Sequence, residues 1–235
     1  MKKHQKQIFA LAVILVFTAT VLFLTGLSEA GKPEKPDPVM DMIEDIYDVV
    51  SDTNNRVWEL GSTAPQKTGQ DSCWDTSGNP IDCEGTGQDG ELRNGVAWPV
   101  PRFTANVDGT VTDHLTGLIW LKNANCFGTR NWADALSDSN GLASGSCGLT
   151  DGSSANDWRL PNVRELHSLV DYGMSDPAFP SGLPFENVQS YDYWSSTYIT
   201  GNTIGAAWSV SFFQGDVNST ATNNNNYVWP VRDGN

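Results

Sequence analysis

The last third of the chain carries side chains that recognise ligands through hydrogen bonds and aromatic contact. Amides and one aromatic ring are concentrated between the last predicted strands, at Asn218, Asn223, Asn224, Asn225, Asn226 and Tyr227. An amide supplies donors and acceptors, and a tyrosine ring supplies a flat amphipathic face. The pattern predicts a ligand-binding surface formed by the loops 198–203 and 216–227. A solvated polar loop without a ligand is the alternative.

The four cysteines predict disulfides rather than catalysis. They are Cys73, Cys83, Cys126 and Cys147. All follow a predicted export segment, and an oxidising compartment permits disulfides. Pairing of sequence neighbours, Cys73 with Cys83 and Cys126 with Cys147, closes the shortest loops and is preferred, while the other connectivities stay open. No Cys-x-x-Cys pair occurs, and no histidine lies in a cysteine-nucleophile signature.

Other reactive chemistries find little support in the residue pattern. Ser195 and Ser196 lie in an aromatic strand block without a Gly-x-Ser-x-Gly elbow. The aspartates between Gly61 and Val96 lack the spacing and the terminal glutamate of an EF-hand loop. We therefore expect no enzyme activity and no cofactor. Calcium, bridging Asp or Asn oxygens to sugar hydroxyls, is kept as an alternative.

The amino terminus predicts export. Three lysines precede an apolar run from Ile8 to Leu27, and small residues follow at Ser28-Glu29-Ala30. Residues 1–30 are either a cleaved signal peptide or an uncleaved membrane anchor. The protein is then secreted, periplasmic or at the cell surface. The net charge of −14 opposes nucleic-acid binding, because the long-range field repels phosphate.

Composition divides the exported part into four predicted segments. Residues 31–38 form a Pro- and Lys-rich spacer, and residues 39–60 carry apolar residues at alternating spacings of a heptad repeat. That helix is either a coiled coil, which favours a homotrimer, or an amphipathic helix packed on its own domain. Residues 61–96 form a Gly- and Asp-rich loop pinned by the first cysteine pair. Residues 97–235 form the binding domain.

Periodicity predicts both helices and strands in that domain, and hence an α+β fold. A hairpin turns at Val107-Asp108-Gly109, and a strand follows at Gly117–Leu121. One helix runs from Trp132 to about Asn140 and is ended by Gly141, and another begins at Asn162, where Glu165 completes a capping box. Alternation in residues 208–212 predicts a strand with one buried face, followed by a turn at residues 214–216.

Separated blocks in the second half together resemble the Lcl C-terminal domain family. The blocks are Asn131-Trp132-Ala133-Asp134-Ala135-Leu136, Asn156-Asp157-Trp158-Arg159-Leu160-Pro161, Tyr193-Trp194-Ser195-Ser196-Thr197 and Tyr227-Val228-Trp229-Pro230-Val231-Arg232. The resemblance covers residues 97–232. It implies a C-type-lectin-like head, related in outline to formylglycine-generating enzymes, with two short helices and a small, twisted, mostly antiparallel sheet. It also implies an adhesin-like extracellular module that binds a glycan or protein ligand.

Several residues of these aromatic-rich blocks and the strand near them have a structural explanation. We expect Trp158, Trp194, Trp208 and Trp229 to fill the core. Arg159 is expected to pair with Asp157 or Glu165 inside the fold.

Other functions are weighed against the adhesin-like one. An oxidase like the formylglycine-generating enzymes needs a cysteine motif that the chain does not match, and fold alone does not carry activity. Self-association in the cell envelope is the other class. Sulfated ligands fit the acidic chain poorly, so neutral glycans or protein receptors are favoured.

Overall fold

The computed structural model describes residues 65–201 and 205–234. The segments predicted at 1–30, 31–38 and 39–60 lie outside the described residues. Within the described part, no helix is both long and apolar enough to cross a membrane. Residues 63–235 cluster as one compact unit.

The described residues form eleven short strands and three helices. The strands are β1 Cys73–Trp74, β2 Pro80–Ile81, β3 Phe103–Ala105, β4 Thr110–Asp113, β5 Leu118–Leu121, β6 Thr129–Arg130, β7 Asp192–Tyr198, β8 Ala206–Ser211, β9 Val217–Ala221, β10 Asn226–Tyr227 and β11 Val231–Asp233. The helices are α1 Asp89–Leu92, α2 Trp132–Gly141 and α3 Val163–His167. The expected α+β class is confirmed.

Two main sheets take the place of the single small sheet that the resemblance implied. One has four antiparallel strands in the order β11-β5-β4-β3, and the other has five in the order β6-β10-β7-β8-β9. Within the second, β10 runs parallel to β7. The last residues connect the sheets, since β10 belongs to one and β11 to the other. Val228 and Trp229, which lie between them, are fully buried.

Strand β7 has both faces covered, because its neighbouring residues point in opposite directions. Tyr193 packs into the larger core cluster, together with Trp229 and Leu166 of α3. Trp194 packs into a second cluster, together with Ala135 of α2. The two longer helices therefore supply apolar residues to different clusters on the two sides of this strand.

The capping box and the first hairpin are confirmed. Asn162 Oδ1 accepts from the backbone of Arg164 and Glu165, and Glu165 Oε2 accepts from the Asn162 N–H at 2.8 Å. Strands β3 and β4 pair on either side of the predicted turn. Helix α3 ends at His167. Leu169 and Val170, which continue its apolar pattern, lie in the turn that follows and are buried there.

The prediction of one buried face on β8 was wrong. Ser209 and Ser211 are buried at 0% and 7% exposure, whereas Trp208 is partly exposed. A buried hydroxyl is tolerated when it is hydrogen-bonded. Ser209 Oγ lies 2.8 Å from Thr220 Oγ1. Both faces of β8 are thus covered. Trp208 was expected in the core but is partly exposed.

The turn between β8 and β9 lies where the sequence predicted it. Gly215 has a φ of 88°, a left-handed conformation that favours glycine. A Cβ at this position would lie 2.7 Å from Val170 Cγ1. The close approach therefore adds a packing reason for glycine here.

The two disulfides have the predicted connectivity. Cys73 pairs with Cys83 and Cys126 with Cys147, with Cα–Cα distances of 5.2 and 5.7 Å. The first disulfide lies in the segment that precedes the predicted domain boundary. That segment contacts the rest of the unit, since Gln66 Nε2 donates to Ser168 O at 3.0 Å.

Candidate ligand-binding surface

The structure divides five of the six predicted binding residues among three places, and the sixth, Asn224, is exposed and lines neither concavity. Asn225, Asn226 and Tyr227 line a concavity of about 840 Å³. Asn223 lines another of about 390 Å³. Asn218 lies on β9, which β7 and β8 separate from β10. At the usual strand spacing this is roughly 14 Å away.

We call the larger concavity the tyrosine groove. Its lining residues are Thr129, Asp176, Ser190, Tyr191, Asp192, Ser211, Phe213, Asn225, Asn226 and Tyr227. They come from the segments before and within β7, the end of β8, strands β6 and β10, and a loop that follows α3.

Backbone pairing brings these distant segments together. Tyr227 pairs with Thr129 on one side and with Tyr193 on the other. The Phe212 N–H donates to Tyr191 O at 3.0 Å, and the Asp176 N–H donates to Phe213 O at 2.8 Å. The groove is therefore built on hydrogen-bonded strand ends, which hold its side chains in place.

Three tyrosine rings lead from the core to the surface of the groove. Tyr193 is fully buried, and its ring centroid lies 5.4 Å from that of Tyr227. Tyr227 in turn lies 6.1 Å from Tyr191, which is 65% exposed. Burial raises the pKa of Tyr193, whose hydroxyl accepts from the Gln189 N–H. The exposed ring of Tyr191 is thus supported by packed aromatic neighbours.

An amide group in the groove lacks a hydrogen-bond partner. Asn226 is 8% exposed, and its Nδ2 is buried with no acceptor among the described residues. Leaving a buried donor unpaired costs about 1–3 kcal/mol. Six other buried side-chain atoms of the described residues, Trp120 Nε1 among them, also lack a partner. Asn226 is the one of these residues that lines the groove, where a ligand could supply the missing acceptor.

Two carboxylates also line the groove. Asp176 accepts a hydrogen bond from Ser190 Oγ, and Asp192 Oδ2 lies 3.5 Å from Ser209 Oγ. Among the ten lining residues, all within the described part of the chain, there is no Lys, Arg or His. The groove therefore presents negative charge beside aromatic rings.

We call the smaller concavity the tryptophan hollow. It is lined by Asn131, Trp132, Ala133, Tyr198, Thr222 and Asn223. The rings of Trp132 and Tyr198 lie 5.7 Å apart, and Trp132 Nε1 donates to Ser195 O at 2.8 Å. Asn223 and Asn225 are two residues apart, so their Cα atoms lie within about 7.6 Å. The asparagine turn therefore contributes to both concavities.

Several groove residues had no signal in the sequence. Asp176 comes from a loop far from the asparagine turn, and only long-range pairing places it there. Tyr191 precedes the aromatic block by two residues. The two-residue spacing of Tyr191 and Tyr193 could have placed both rings on one strand face. It does not reveal that Tyr191 is exposed and Tyr193 buried.

Other candidate residues have internal roles, as the sequence indicated. Ser195 Oγ donates to Trp208 O at 2.6 Å, and Ser196 Oγ donates to Pro161 O at 3.2 Å. Arg159 forms two hydrogen bonds to Glu165, at 2.7 and 2.9 Å, which raise its pKa. Arg159 therefore ties the segment before α3 to that helix.

The aromatic blocks supply most of the expected core. Trp158, Trp194 and Trp229 are fully buried. Arg232 lies over the Trp158 ring at 5.4 Å and beside Asp151 at 3.4 Å. Among the described residues, no group of three or more His, Cys, Asp or Glu side chains is arranged to hold a metal ion.

Comparison with known proteins identifies the family. A family model, the Lcl C-terminal domain, matches residues 109–232, which are more than half of the 235-residue chain. The match contains all four aromatic-rich blocks and every residue that lines either concavity. No curated protein matches the chain. The chain belongs to the Lcl C-terminal domain family.

Proposed function

We propose that the protein is an exported, adhesin-like module that binds a glycan in the tyrosine groove without reacting with it. The observation that carries this proposal is the exposed ring of Tyr191, packed near the partly buried Tyr227, in the same concavity as the unpartnered amide of Asn226. The expected C-type-lectin-like head and the location outside the cytoplasm are parts of the same proposal.

A sugar fits the chemistry of the groove. Pyranose rings present C–H faces that pack against aromatic rings, and hydroxyls that donate and accept hydrogen bonds. Tyr191 and Tyr227 supply such rings, and amides and carboxylates supply the polar partners. Ligand sites generally combine apolar walls with a few placed polar groups.

Binding without reaction is favoured because the described lining residues lack the groups that generally activate a serine or cysteine nucleophile. Such a nucleophile generally has a histidine or an amine as its neighbouring base. Ser190 Oγ donates to Asp176, and Ser211 Oγ accepts from the Phe213 N–H. No histidine, cysteine or lysine is among the described lining residues.

Two features support export. The disulfides Cys73–Cys83 and Cys126–Cys147 are typical of oxidising compartments. The amino-terminal sequence has the charge and apolar pattern of a signal peptide or anchor.

A glycan array tests the proposal. The full-length chain is purified in a polyoxyethylene detergent, which carries no sugar, and applied with calcium and again with a chelator. We expect selective binding to one glycan class, lost in Tyr191→Ala and kept in Trp74→Ala. Trp74 is a matched control, because it is 37% exposed and lies outside both concavities.

The outcomes separate the candidate functions. Loss of binding in chelator would add calcium to the site. A blank array under both conditions would contradict glycan binding, and concentration-dependent assembly without ligand would then favour self-association. Cleavage of a bound oligosaccharide, detected by mass spectrometry, would contradict a purely binding role.

A further inference from the structure

We infer that the glycan held by the tyrosine groove carries a free, protonated amine, as in an amino sugar that is not N-acetylated. This inference rests on the proposed function and narrows its ligand class. It follows from the combination of carboxylates, open aromatic rings and one unpartnered amide in a single concavity.

The two carboxylates reach the groove from different parts of the chain. Asp192 begins β7, and Asp176 lies in the loop after α3. The Phe212–Phe213 segment connects them, because its backbone bonds to Tyr191 on one side and to Asp176 on the other. Both acids therefore line one surface, although sixteen residues of sequence separate them.

Exposed aromatic rings complement those acids. Tyr191 and Phe213 are 65% and 47% exposed, and both line the groove. The face of an aromatic ring attracts cations, by about 0.5–1 kcal/mol at exposed sites. A protonated amine between the rings and the carboxylates would gain from both interactions.

The described residues supply no cation to the lining of this groove. The described lining residues include no Lys, Arg or His. Arg130, next to the lining residue Thr129, forms an ion pair with Asp138 of α2 at 2.7 Å. The groove carboxylates therefore have no cationic partner among the lining residues and can pair with a cationic ligand. The chain's net charge of −14 also favours the approach of a cationic ligand.

Asn226 indicates that the cation belongs to a sugar rather than being a bare ion. Its buried Nδ2 is a donor without an acceptor and cannot bind a cation. A ligand oxygen within reach of this donor would supply the missing acceptor. An amino sugar offers both an ammonium group and hydroxyl oxygens.

Neutral and anionic sugars would interact less favourably with the two carboxylates of the groove. An N-acetylated sugar gives the carboxylates no charged partner. A sulfated or carboxylated sugar adds like charge beside Asp176 and Asp192, which is unfavourable.

The test compares two oligosaccharides that differ only in acetylation: a β-1,4-linked glucosamine oligomer and the N-acetylglucosamine oligomer of the same length. Calorimetric titrations use the full-length chain in the sugar-free detergent, in mildly acidic buffer, so that the amines of the glucosamine oligomer are charged. We expect the glucosamine oligomer to bind at least about tenfold more tightly, a difference of about 1.4 kcal/mol.

Variants test whether the preference for the glucosamine oligomer arises in the tyrosine groove. Asp176→Asn with Asp192→Asn should remove it, since an amide keeps the shape but loses the charge. Asparagine also tolerates the φ of 53° at position 176. The control, Asp71→Asn with Glu84→Gln, removes the same charge from exposed residues outside the groove and should keep the preference. Thermal unfolding checks that each variant is folded.

The comparison of the two oligomers uses the parent protein, so the inference stays testable if a variant fails to fold. Equal affinity for both oligomers, or binding of the acetylated one alone, overturns the inference and leaves glycan binding intact. No binding of either also overturns it, and the proposed function then falls only if the glycan array is blank as well. A preference that persists in the groove variant would contradict the assigned site.

Discussion

The aromatic centre of the fold and the tyrosine groove both contain packed aromatic rings but differ in how far those rings are exposed. In the centre, Trp229 is fully buried, and its Nε1 donates to Leu121 O at 2.8 Å. In the groove, Tyr191 is 65% exposed, and the amide of Asn226 has no partner among the described residues. The two regions meet where Tyr193 contacts Tyr227, 5.4 Å between centroids.

This contrast separates stability from recognition. A buried ring with a satisfied donor has no capacity left for a ligand, and its contribution appears as stability. An exposed ring contributes little to folding, and both it and an unpaired donor can gain from a partner. The Tyr193–Tyr227 contact lets the rigid centre hold the groove in place.

The largest effect is expected at the centre. Trp229→Ala should lower the free energy of unfolding by about 3–5 kcal/mol, because it removes a buried ring at the junction of the two sheets. Urea denaturation measures it. Tyr191→Ala is the matched control and should change stability by less than about 0.5 kcal/mol. Similar losses in the two variants would erase the proposed contrast.

Removal of the second disulfide should have the next largest effect. Cys126 and Cys147 pack against the main core cluster and are 21 residues apart in sequence. Replacing both with serine should cost about 2–4 kcal/mol, mainly by freeing the unfolded chain. Denaturation of the variant beside the parent protein checks this value. A loss of sugar binding larger than the loss of folded protein would show that this disulfide also shapes the groove.

At the groove, the expected effect is on affinity. Tyr191→Ala should weaken binding of the array-selected glycan by about tenfold or more, or about 1.4 kcal/mol. Titration calorimetry measures it, with Trp74→Ala as the control. An unchanged dissociation constant would remove Tyr191 from the site.

The smallest effect concerns a half-buried pair outside both regions. His167 Nε2 lies 2.7 Å from the Tyr172 hydroxyl, and burial lowers the pKa of His167 below its ordinary 6.5. The unfolded chain then binds more protons than the folded one, so stability is complete above pH 6.5 and falls as the pH drops toward the folded pKa. Unfolding in His167→Gln should show a shallower decline in this window than the parent protein. Identical pH profiles would contradict the prediction.

The sequence predicted local features well because their causes are local. The capping box at Asn162 and the hairpin at Val107-Asp108-Gly109 depend on neighbouring residues, and both are present. Neighbouring cysteines also paired as expected. These features need no knowledge of distant contacts.

The features that the sequence missed depend on long-range pairing. Burial of Ser209 follows from its contact with Thr220 on the next strand, which alternation alone does not contain. The groove joins Asp176 to Tyr191 through Phe213, and the predicted set included none of these residues. Asn218 was grouped with Asn226 by composition, yet two strands separate their positions.

The most direct test of glycan binding in the groove is to map the contact by NMR. The ¹⁵N-labelled full-length chain is titrated with the glycan selected on the array, and the side-chain amide signals of the asparagines are followed. We predict that the signals of Asn225 and Asn226 shift in proportion to occupancy while that of Asn218 stays in place. Shifts at Asn218 without any change at Asn226 would contradict binding in the tyrosine groove.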